Sequence, residues 1–248
     1  MKALILAAGY ATRLRPLTDT IAKPLLPVGG RPMVDWIVDR IRGTSADEIH
    51  LVTNARFAAD FGRWAEGNDV IVHNDGTTSN DDRLGAIGDI DFVGLDDDLL
   101  AIASDNLFDY SLADYEAFWR AKGGSAVAVH DVGDRELAKK YGIVDVDADD
   151  RIIGFEEKPE DPPTTLCATA TYLYRREDAA LIGTYLAEGN PPDQPGHYVG
   201  WLYTRAPMYA YRFPGEWYDI GDAAQLLEAD NRMRRRHGLP ERAEYSPS

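Results

Sequence analysis

The chain has 248 residues, a formal net charge of −16 at pH 7 and an isoelectric point near 4.6. This length allows one large α/β domain or two small ones, and the acidic balance argues against nucleic acid, whose binders need a basic face. No apolar stretch is long enough to span a bilayer, and the single cysteine, Cys167, allows neither an internal disulfide nor a cysteine zinc site. We therefore expect a soluble cytoplasmic protein without a membrane or nucleic-acid partner.

The first predicted element is a buried parallel strand over the apolar run Ala3 to Ala8, bounded by Gly9. A strand fits better than a signal peptide because Arg13 and Arg15 follow closely. With Lys23, these cations occupy a strand-end loop, and a glycine there lets a ligand approach the backbone. The Walker pattern G-x-x-x-x-G-K-[ST] and the dinucleotide pattern G-x-G-x-x-G are both absent. The loop thus predicts a nucleoside-triphosphate site of another kind.

The next elements alternate between helix and strand. Apolar spacing predicts a helix over Pro32 to Arg42, a strand over Glu48 to Thr53, a helix over Phe57 to Glu66 and a strand over Val70 to His73. Such a series implies a parallel sheet with right-handed crossovers, in which ligands bind beyond the carboxyl ends of the strands. The opening loop lies at one of those ends.

A polar, turn-rich segment, Asn74 to Gly88, follows and by itself is typical of a solvated connection. The predicted strand Asp98 to Ala103 then runs directly into Ser104 and Asp105. A carboxylate at the tip of a buried strand is costly unless it is capped, paired or bound to a metal. Asp105 is therefore a candidate functional residue.

The second half mixes strands with helices. A pair of strands joined by an acidic turn is expected between Lys140 and Pro159, which could be a simple hairpin. The other predicted elements are helices over Leu112 to Lys122, Arg176 to Leu186 and Ala223 to Arg236, strands over Ala126 to Val129, Ala168 to Tyr174 and Pro207 to Phe213, a loop over Asn190 to Tyr198, and a frayed tail over 240–248.

Four motifs occur in order along nearly the whole chain. They are L-A-A-G-x-x-T-R-L-R-P-L-T followed by K-P-L-L-P-V, then S-D-N at 104–106, then Y-G-I-V with F-E-E-K-P, and finally W-x-D-x-G-D at 217–222. This set resembles the signature of the sugar-1-phosphate nucleotidyltransferases, which make nucleotide sugars. Serine at 104 replaces the family's glycine in G-D-N, and Asp222 replaces the threonine of W-x-D-x-G-T.

The resemblance implies an α/β fold with a Rossmann-like, mostly parallel sheet flanked by helices, of the nucleotide-diphospho-sugar transferase type, and an added acceptor-binding β region. It implies a single domain over 1–239, with a nucleotide-binding half at 1–130, an acceptor-binding half at 131–222 and a C-terminal helix at 223–239. The loop at 190–198 would then cover the acceptor site.

Site roles follow from the resemblance residue by residue. Arg13 and Lys23 would contact the triphosphate, and Asp105 and Asp219 would hold Mg²⁺ as the cofactor, while the contribution of Asp222 stays open. The sugar 1-phosphate would be held by the second motif, whose inherited residues are Gly142, Glu157 and Lys158, with Lys158 also orienting the attacking phosphate.

Backbone groups are expected to form most of the base pocket. The predicted nucleotide-binding residues are Leu6, Ala7, Ala8 and Gly9 in the first motif, Gly85 in the short family-like string L-G-A, and Asn80, with Asp81 as an alternative side-chain partner. The segment Asn74 to Gly88 contains no aromatic residue that could stack on a large purine. We therefore predict a pyrimidine triphosphate, UTP, dTTP or CTP.

The implied reaction joins a nucleoside triphosphate and a phosphorylated small-molecule acceptor with release of pyrophosphate. An acceptor phosphate oxygen is already anionic at neutral pH, so the chemistry needs positioning and charge neutralisation rather than a general base. Two alternatives stay open. One is a cytidylyltransferase of the same fold acting on a non-sugar phosphomonoester, encouraged by Trp201, Tyr203 and Trp217 near the acceptor side. The other is a non-catalytic nucleotide-binding regulatory module. The pattern leaves a homo-oligomer open.

Overall fold

The computed structural model describes residues 1–247. The strands are β1 (Lys2–Leu6), β2 (Pro27–Val28), β3 (Arg31–Pro32), β4 (Glu48–Thr53), β5 (Ile71–Asn74), β6 (Leu99–Ala103), β7 (Asn106–Phe108), β8 (Ser125–Asp131), β9 (Gly142–Val146), β10 (Ile152–Glu157), β11 (Leu166–Tyr174), β12 (Met208–Arg212) and β13 (Trp217–Asp219). The helices are α1 (Met33–Ile41), α2 (Ala58–Ala65), α3 (Ala86–Val93), α4 (Leu112–Lys122), α5 (Arg135–Ala138), α6 (Arg176–Ala179), α7 (Ile182–Ala187), α8 (Pro195–Leu202) and α9 (Ala223–Arg236).

A nine-stranded sheet forms the centre of the molecule, with the order β10-β9-β11-β6-β1-β4-β5, and with β8 pairing to β11 and β12. Strand β1 is parallel to β4 and β6, and β4 is parallel to β5. The strands of the second half add antiparallel pairs, because β11 runs against β6, β8 and β9. The predicted α/β fold, with a central mostly parallel sheet flanked by helices, is confirmed.

Helices cover both faces of this sheet. Helices α1, α2 and α4 bury apolar side chains on one face, and α3, α7 and α8 bury theirs on the other. Burial of such side chains is the main favourable term in folding, at about 25 cal/mol per Å² of apolar surface. Representative core residues are Ile37, Phe61 and Trp119 on the first face and Ile87, Tyr185 and Tyr198 on the second.

Two parts of the second half differ from the sequence prediction. The helix expected over Arg176 to Leu186 is divided into α6 and α7, because tertiary contacts gather at Asp178 near the end of α6. Its carboxylate accepts from Ser125 Oγ at 2.5 Å and its carbonyl accepts from the Tyr198 hydroxyl. The expected loop over Asn190 to Tyr198 becomes helix α8 at Pro195, a residue suited to the first turn of a helix.

The C-terminal helix α9 packs on a separate apolar cluster that includes Leu26, Met33 and Leu107. Beyond it, the tail that was predicted to be frayed contacts the body of the protein: the Tyr245 hydroxyl donates to the Pro27 carbonyl at 2.9 Å. Within residues 1–247, no helix combines the length and the apolar character needed to cross a membrane.

Candidate active site

A cavity of about 430 Å³ opens at the carboxyl ends of β1 and β6. The two strands are parallel neighbours in register from Lys2 and Leu99 to Leu6 and Ala103, so the segments that follow them meet at one edge of the sheet. Eight predicted site residues line the cavity: Leu6, Ala7, Ala8, Gly9, Arg13, Lys23, Gly85 and Asp105.

The loop after β1 is held in place by bonds to its backbone. The side-chain amide of Asn54 donates to the Ala8 carbonyl at 2.8 Å, and the Thr18 hydroxyl donates to the Ala11 carbonyl at 2.9 Å. Arg13 is exposed on a short 3₁₀ turn and lies beside Gly221, where an added Cβ would come within 3.3 Å of Arg13 Nη1. The guanidinium is therefore free to face a ligand while the backbone below it is fixed.

Lys23 and Asp105 form a direct ion pair in the cavity wall, with Nζ of Lys23 2.7 Å from Oδ2 of Asp105. Burial by itself would raise the pKa of Asp105, but the charge of Lys23 and its hydrogen bond, together with a backbone hydrogen bond and the charge of Arg13, hold that pKa below its usual value. Asp105 is thus a carboxylate at neutral pH.

The short antiparallel pair β7–β13 places Asp219 opposite Asn106, next in sequence to Asp105. Burial, and then the charge of Asp105, raise the pKa of Asp219, while Lys23 and Arg13 act in the opposite direction. Residues from three separate motifs are therefore close enough to shift one another's pKa values.

This pair of carboxylates suits Mg²⁺, which proteins usually bind through one or two carboxylates completed by substrate phosphates and water. No cluster of three or more His, Cys, Asp or Glu that could hold a metal by itself occurs among the described residues. Asp222 caps a helix, because its carboxylate accepts from the Gln225 amide at 2.9 Å at the start of α9.

Gly142, Glu157 and Lys158 lie outside the cavity lining, on the β9–β10 hairpin. Gly142 pairs with Glu157, and a Cβ at position 142 would lie only 2.8 Å from Glu157 Oε2 and 2.6 Å from the Phe155 ring. Only glycine fits there without displacing the glutamate. Burial raises the pKa of Glu157, an effect that the charge of Lys158 opposes.

Gln194 links these hairpin residues to the cavity, which it lines. With its amide oriented to suit its neighbours, the Gln194 nitrogen donates to Glu157 Oε1 at 2.8 Å and its oxygen accepts from Lys158 Nζ at 3.1 Å. The predicted acceptor residues therefore adjoin the cavity through one side chain.

The segment 190–195 docks onto the start of α3. Amide groups of Ala86 and Ile87 donate to the carbonyls of Asp193 and Pro192 at 3.2 and 2.9 Å, so the loop satisfies helix donors that have no intrahelical partner. Gly85 has φ of +81°, and a Cβ there would lie 2.7 Å from the Pro192 carbonyl oxygen. This contact therefore requires glycine at position 85.

An ion pair completes the docking: Arg83 Nε and Nη2 donate to Asp193 Oδ1 and Oδ2 at 3.1 and 2.9 Å. Both residues line the cavity, and sequence reasoning missed them. Nothing in the sequence pattern joins residues so far apart, although the proline-rich composition around Asp193 marked a loop.

Asn80 does not line the cavity. The turn that carries it closes on itself, because Asp82 accepts from the amides of Thr78 and Ser79 at 3.0 and 2.8 Å. Asn80 is exposed on the outside of that turn, and its carbonyl accepts from Arg83 Nη1 at 2.6 Å. The structure brings Asp89 to the cavity instead.

The chain is similar in sequence to known proteins. The family model "Nucleotidyl transferase" matches residues 2–236. A UTP–glucose-1-phosphate uridylyltransferase of Synechocystis is 30% identical over 92% of the chain, and a glucose-1-phosphate adenylyltransferase of Clostridium novyi is 28% identical over 93%. The chain spans only 62% and 66% of the lengths of these relatives.

Solved structures agree in fold. A crystal structure from Bacillus anthracis, described as that of a glucose-1-phosphate thymidylyltransferase with sucrose, gives a TM-score of 0.79 at 25% identity and covers 94% of this chain and 95% of its own. A UDP-glucose pyrophosphorylase with UDP-glucose gives a TM-score of 0.80 at 20% identity over 95% and 98%. With four ordered motifs, a shared fold and a family match over nearly its whole length, the chain belongs to the sugar-1-phosphate nucleotidyltransferase family.

Proposed function

We propose that this protein transfers a nucleotidyl group from a nucleoside triphosphate to a sugar 1-phosphate. The observation that carries the proposal is that Arg13, Lys23 and Asp105 line a cavity that Gln194 joins to Glu157 and Lys158, and that Asp219 interacts electrostatically with all three. The relatives named above as uridylyl-, adenylyl- and thymidylyltransferases of glucose 1-phosphate support this reaction class.

In the proposed reaction, an oxygen of the acceptor phosphate attacks the α-phosphorus of the triphosphate. A new P–O bond forms, the bond from the α-phosphorus to the bridging oxygen of the β-phosphate breaks, and pyrophosphate leaves with that electron pair. Arg13 and Lys23 offset the charge that gathers on the leaving group, and Lys158 holds the acceptor phosphate in line. The attacking oxygen is already anionic, so the step requires no base.

We further propose that Asp105 and Asp219 hold a Mg²⁺ ion. When bound, the ion would screen the repulsion between acceptor and triphosphate and stabilise charge on the reacting phosphate oxygens. The two carboxylates leave most of the coordination sphere to phosphate and water, as Mg²⁺ usually requires. Lys23 positions the Asp105 carboxylate for metal binding through their 2.7 Å contact.

The base is proposed to be a pyrimidine. Support comes from the cavity lining, which includes Leu6, Ala7, Ala8, Gly85 and Ala86. Among the described residues, this lining contains no aromatic side chain on which a purine could stack. Specificity then depends on hydrogen bonds, because a buried polar group left unpaired by the wrong base costs about 1–3 kcal/mol.

The test is a matrix of ATP, CTP, GTP, UTP and dTTP against a panel of sugar 1-phosphates and phosphorylated amino alcohols, with Mg²⁺, read by pyrophosphate release. We expect release only in complete mixtures, with a pyrimidine triphosphate and a sugar 1-phosphate giving the highest kcat/KM. Best turnover of a phosphorylated amino alcohol would favour the same-fold cytidylyltransferase. Triphosphate binding with no release from any pair would favour a regulatory module.

A further inference from the structure

Asp89 on α3 is an acidic residue with no role in the chemistry described above. It lines the cavity beside Gly85 and Ala86, yet only 5% of it is exposed. Its Oδ1 atom is enclosed and has no hydrogen-bond partner within residues 1–247. A carboxyl group in such a position is costly, so it requires an explanation.

Asp75 is the neighbour of the Asp89 carboxyl on one side. The amide and hydroxyl of Thr77 donate to Asp75 Oδ1 at 2.7 and 2.8 Å, and Thr77 in turn contacts the Tyr10 hydroxyl at 3.3 Å. This fixes the orientation of Asp75 and leaves its Oδ2 enclosed and, in the described part of the chain, unpartnered like Oδ1 of Asp89. The two carboxyl groups are close enough to form a hydrogen bond, and a single proton between those two oxygens would satisfy both.

The electrostatics agree with a shared proton. Burial, then the charge of Asp75 and a hydrogen bond with it, raise the pKa of Asp89 to about 7. Arg83 and Asp193, which also line the cavity, already pair with each other through two hydrogen bonds of 3.1 and 2.9 Å. Asp89 is therefore the acidic group left to meet a ligand there.

We propose that Asp89 reads the nucleotide base, and that it selects the exocyclic amino group of cytosine. The shared proton lies between Asp75 and the Asp89 oxygen that faces it. The other Asp89 oxygen, which reaches the cavity, carries no proton and can therefore only accept a hydrogen bond. A cytosine amino group can donate to it, whereas the O4 carbonyl of uracil or thymine would leave two acceptors facing each other. This inference rests on the proposed nucleotidyltransferase function and narrows its pyrimidine to that of CTP.

Calorimetry of triphosphate binding with Mg²⁺ and without acceptor tests the proposal on the wild-type protein, Asp89→Leu and Asp89→Asn. We expect the wild type to bind CTP at least about tenfold more tightly than UTP, dTTP, ATP or GTP. Asp89→Leu should reduce that preference to within about threefold. Asp89→Asn should keep it, because its amide nitrogen can donate to Asp75 while its oxygen still faces the cavity. Asp91→Leu, on an exposed position of the same helix, is the matched control.

Thermal unfolding as a function of pH gives a second measurement that does not depend on activity. A raised pKa means that the folded protein keeps a proton that the unfolded chain releases above about pH 4, so the stability contribution of Asp89 falls between about pH 4 and 7. Asp89→Asn lacks this titration, and its stability gain over the wild type should grow across that window and then level off.

The results separate the two proposals. Tightest binding of UTP, dTTP, ATP or GTP by the wild type, or an unchanged CTP preference in Asp89→Leu, overturns base reading by Asp89. Tight and selective CTP binding without pyrophosphate release from any acceptor overturns the catalytic proposal alone.

Discussion

The contact between Arg83 and Asp193 gives a prediction about how the two halves of the site are joined. Its magnitude follows from geometry: two charges about 4 Å apart attract by about 4 kcal/mol at an effective dielectric of 20 and about 1 kcal/mol in bulk water. Arg83 is 39% exposed and Asp193 45% exposed, so the lower figure applies. We therefore expect the pair to contribute about 1 kcal/mol to the docking of segment 190–195 onto the start of α3. This free energy corresponds to a change of about fivefold in the ratio of docked to undocked segment.

A double-mutant cycle of Arg83→Ala, Asp193→Ala and the double variant measures this term. In urea unfolding we expect each single variant to lose about 1 kcal/mol and the double variant to lose scarcely more, because either substitution already removes the bidentate pair. The KM for the acceptor should rise several-fold, since Gln194 adjoins Asp193 and contacts both Glu157 and Lys158.

The exposed pair Arg63 and Asp60 lies within α2 and supplies the control. Arg63→Ala should change neither the acceptor KM nor, beyond about 0.5 kcal/mol, the free energy of unfolding. If Arg83→Ala and Asp193→Ala have fully additive effects, or if neither changes the acceptor KM, the reasoning that this ion pair holds segment 190–195 beside the acceptor residues is wrong.

Three further outcomes are expected from the proposed chemistry. Arg13→Ala should lower kcat about 10²-fold or more while the melting temperature hardly changes, because Arg13 is exposed, and a variant with near-normal turnover would contradict its role. Asp105→Asn and Asp219→Asn should each abolish most Mg²⁺-dependent turnover and weaken Mn²⁺ binding measured by electron paramagnetic resonance, with the double variant little worse, and full activity in excess chelator would refute the metal site. Lys158→Ala should raise the acceptor KM and lower kcat but leave triphosphate binding nearly unchanged, and equal loss of triphosphate affinity would show that the half-sites are misassigned.

Local sequence signals were sufficient for much of the fold. The boundaries predicted for α4 and α9 agree with the structure because each helix has a capping side chain: Ser111 accepts from the Asp114 amide, and Asp222 accepts from the Gln225 amide. The division of α6 from α7 could not be predicted in this way. It depends on contacts at Asp178 from Ser125 and Tyr198, which lie on other elements.

The same distinction holds for the candidate site. Gly9 and Asp105 could be placed together because each follows a buried strand and parallel strands end at one edge of a sheet. Asp89 could not be found, because its importance depends on burial and on Asp75, which approaches it from the end of β5. Asn80 was predicted to bind the nucleotide because it is a polar residue in the segment Asn74 to Gly88, but the local turn directs it to solvent.

Charge explains how an acidic protein could receive the two anionic substrates of the proposed reaction at this cavity. The overall charge of −16 repels phosphates, so binding depends on the few cations held at the cavity. Lys23 is already paired with Asp105 at 2.7 Å, and Asp219 adds a second carboxylate beside it. Arg13 alone cannot offset both carboxylates and a triphosphate. A divalent cation between the carboxylates and the phosphates would restore the balance, and it would also leave Lys23 with charge to share with the substrate. On this reasoning the acidic surface and the proposed metal site belong together: the protein would exclude free phosphates and admit them only as metal complexes.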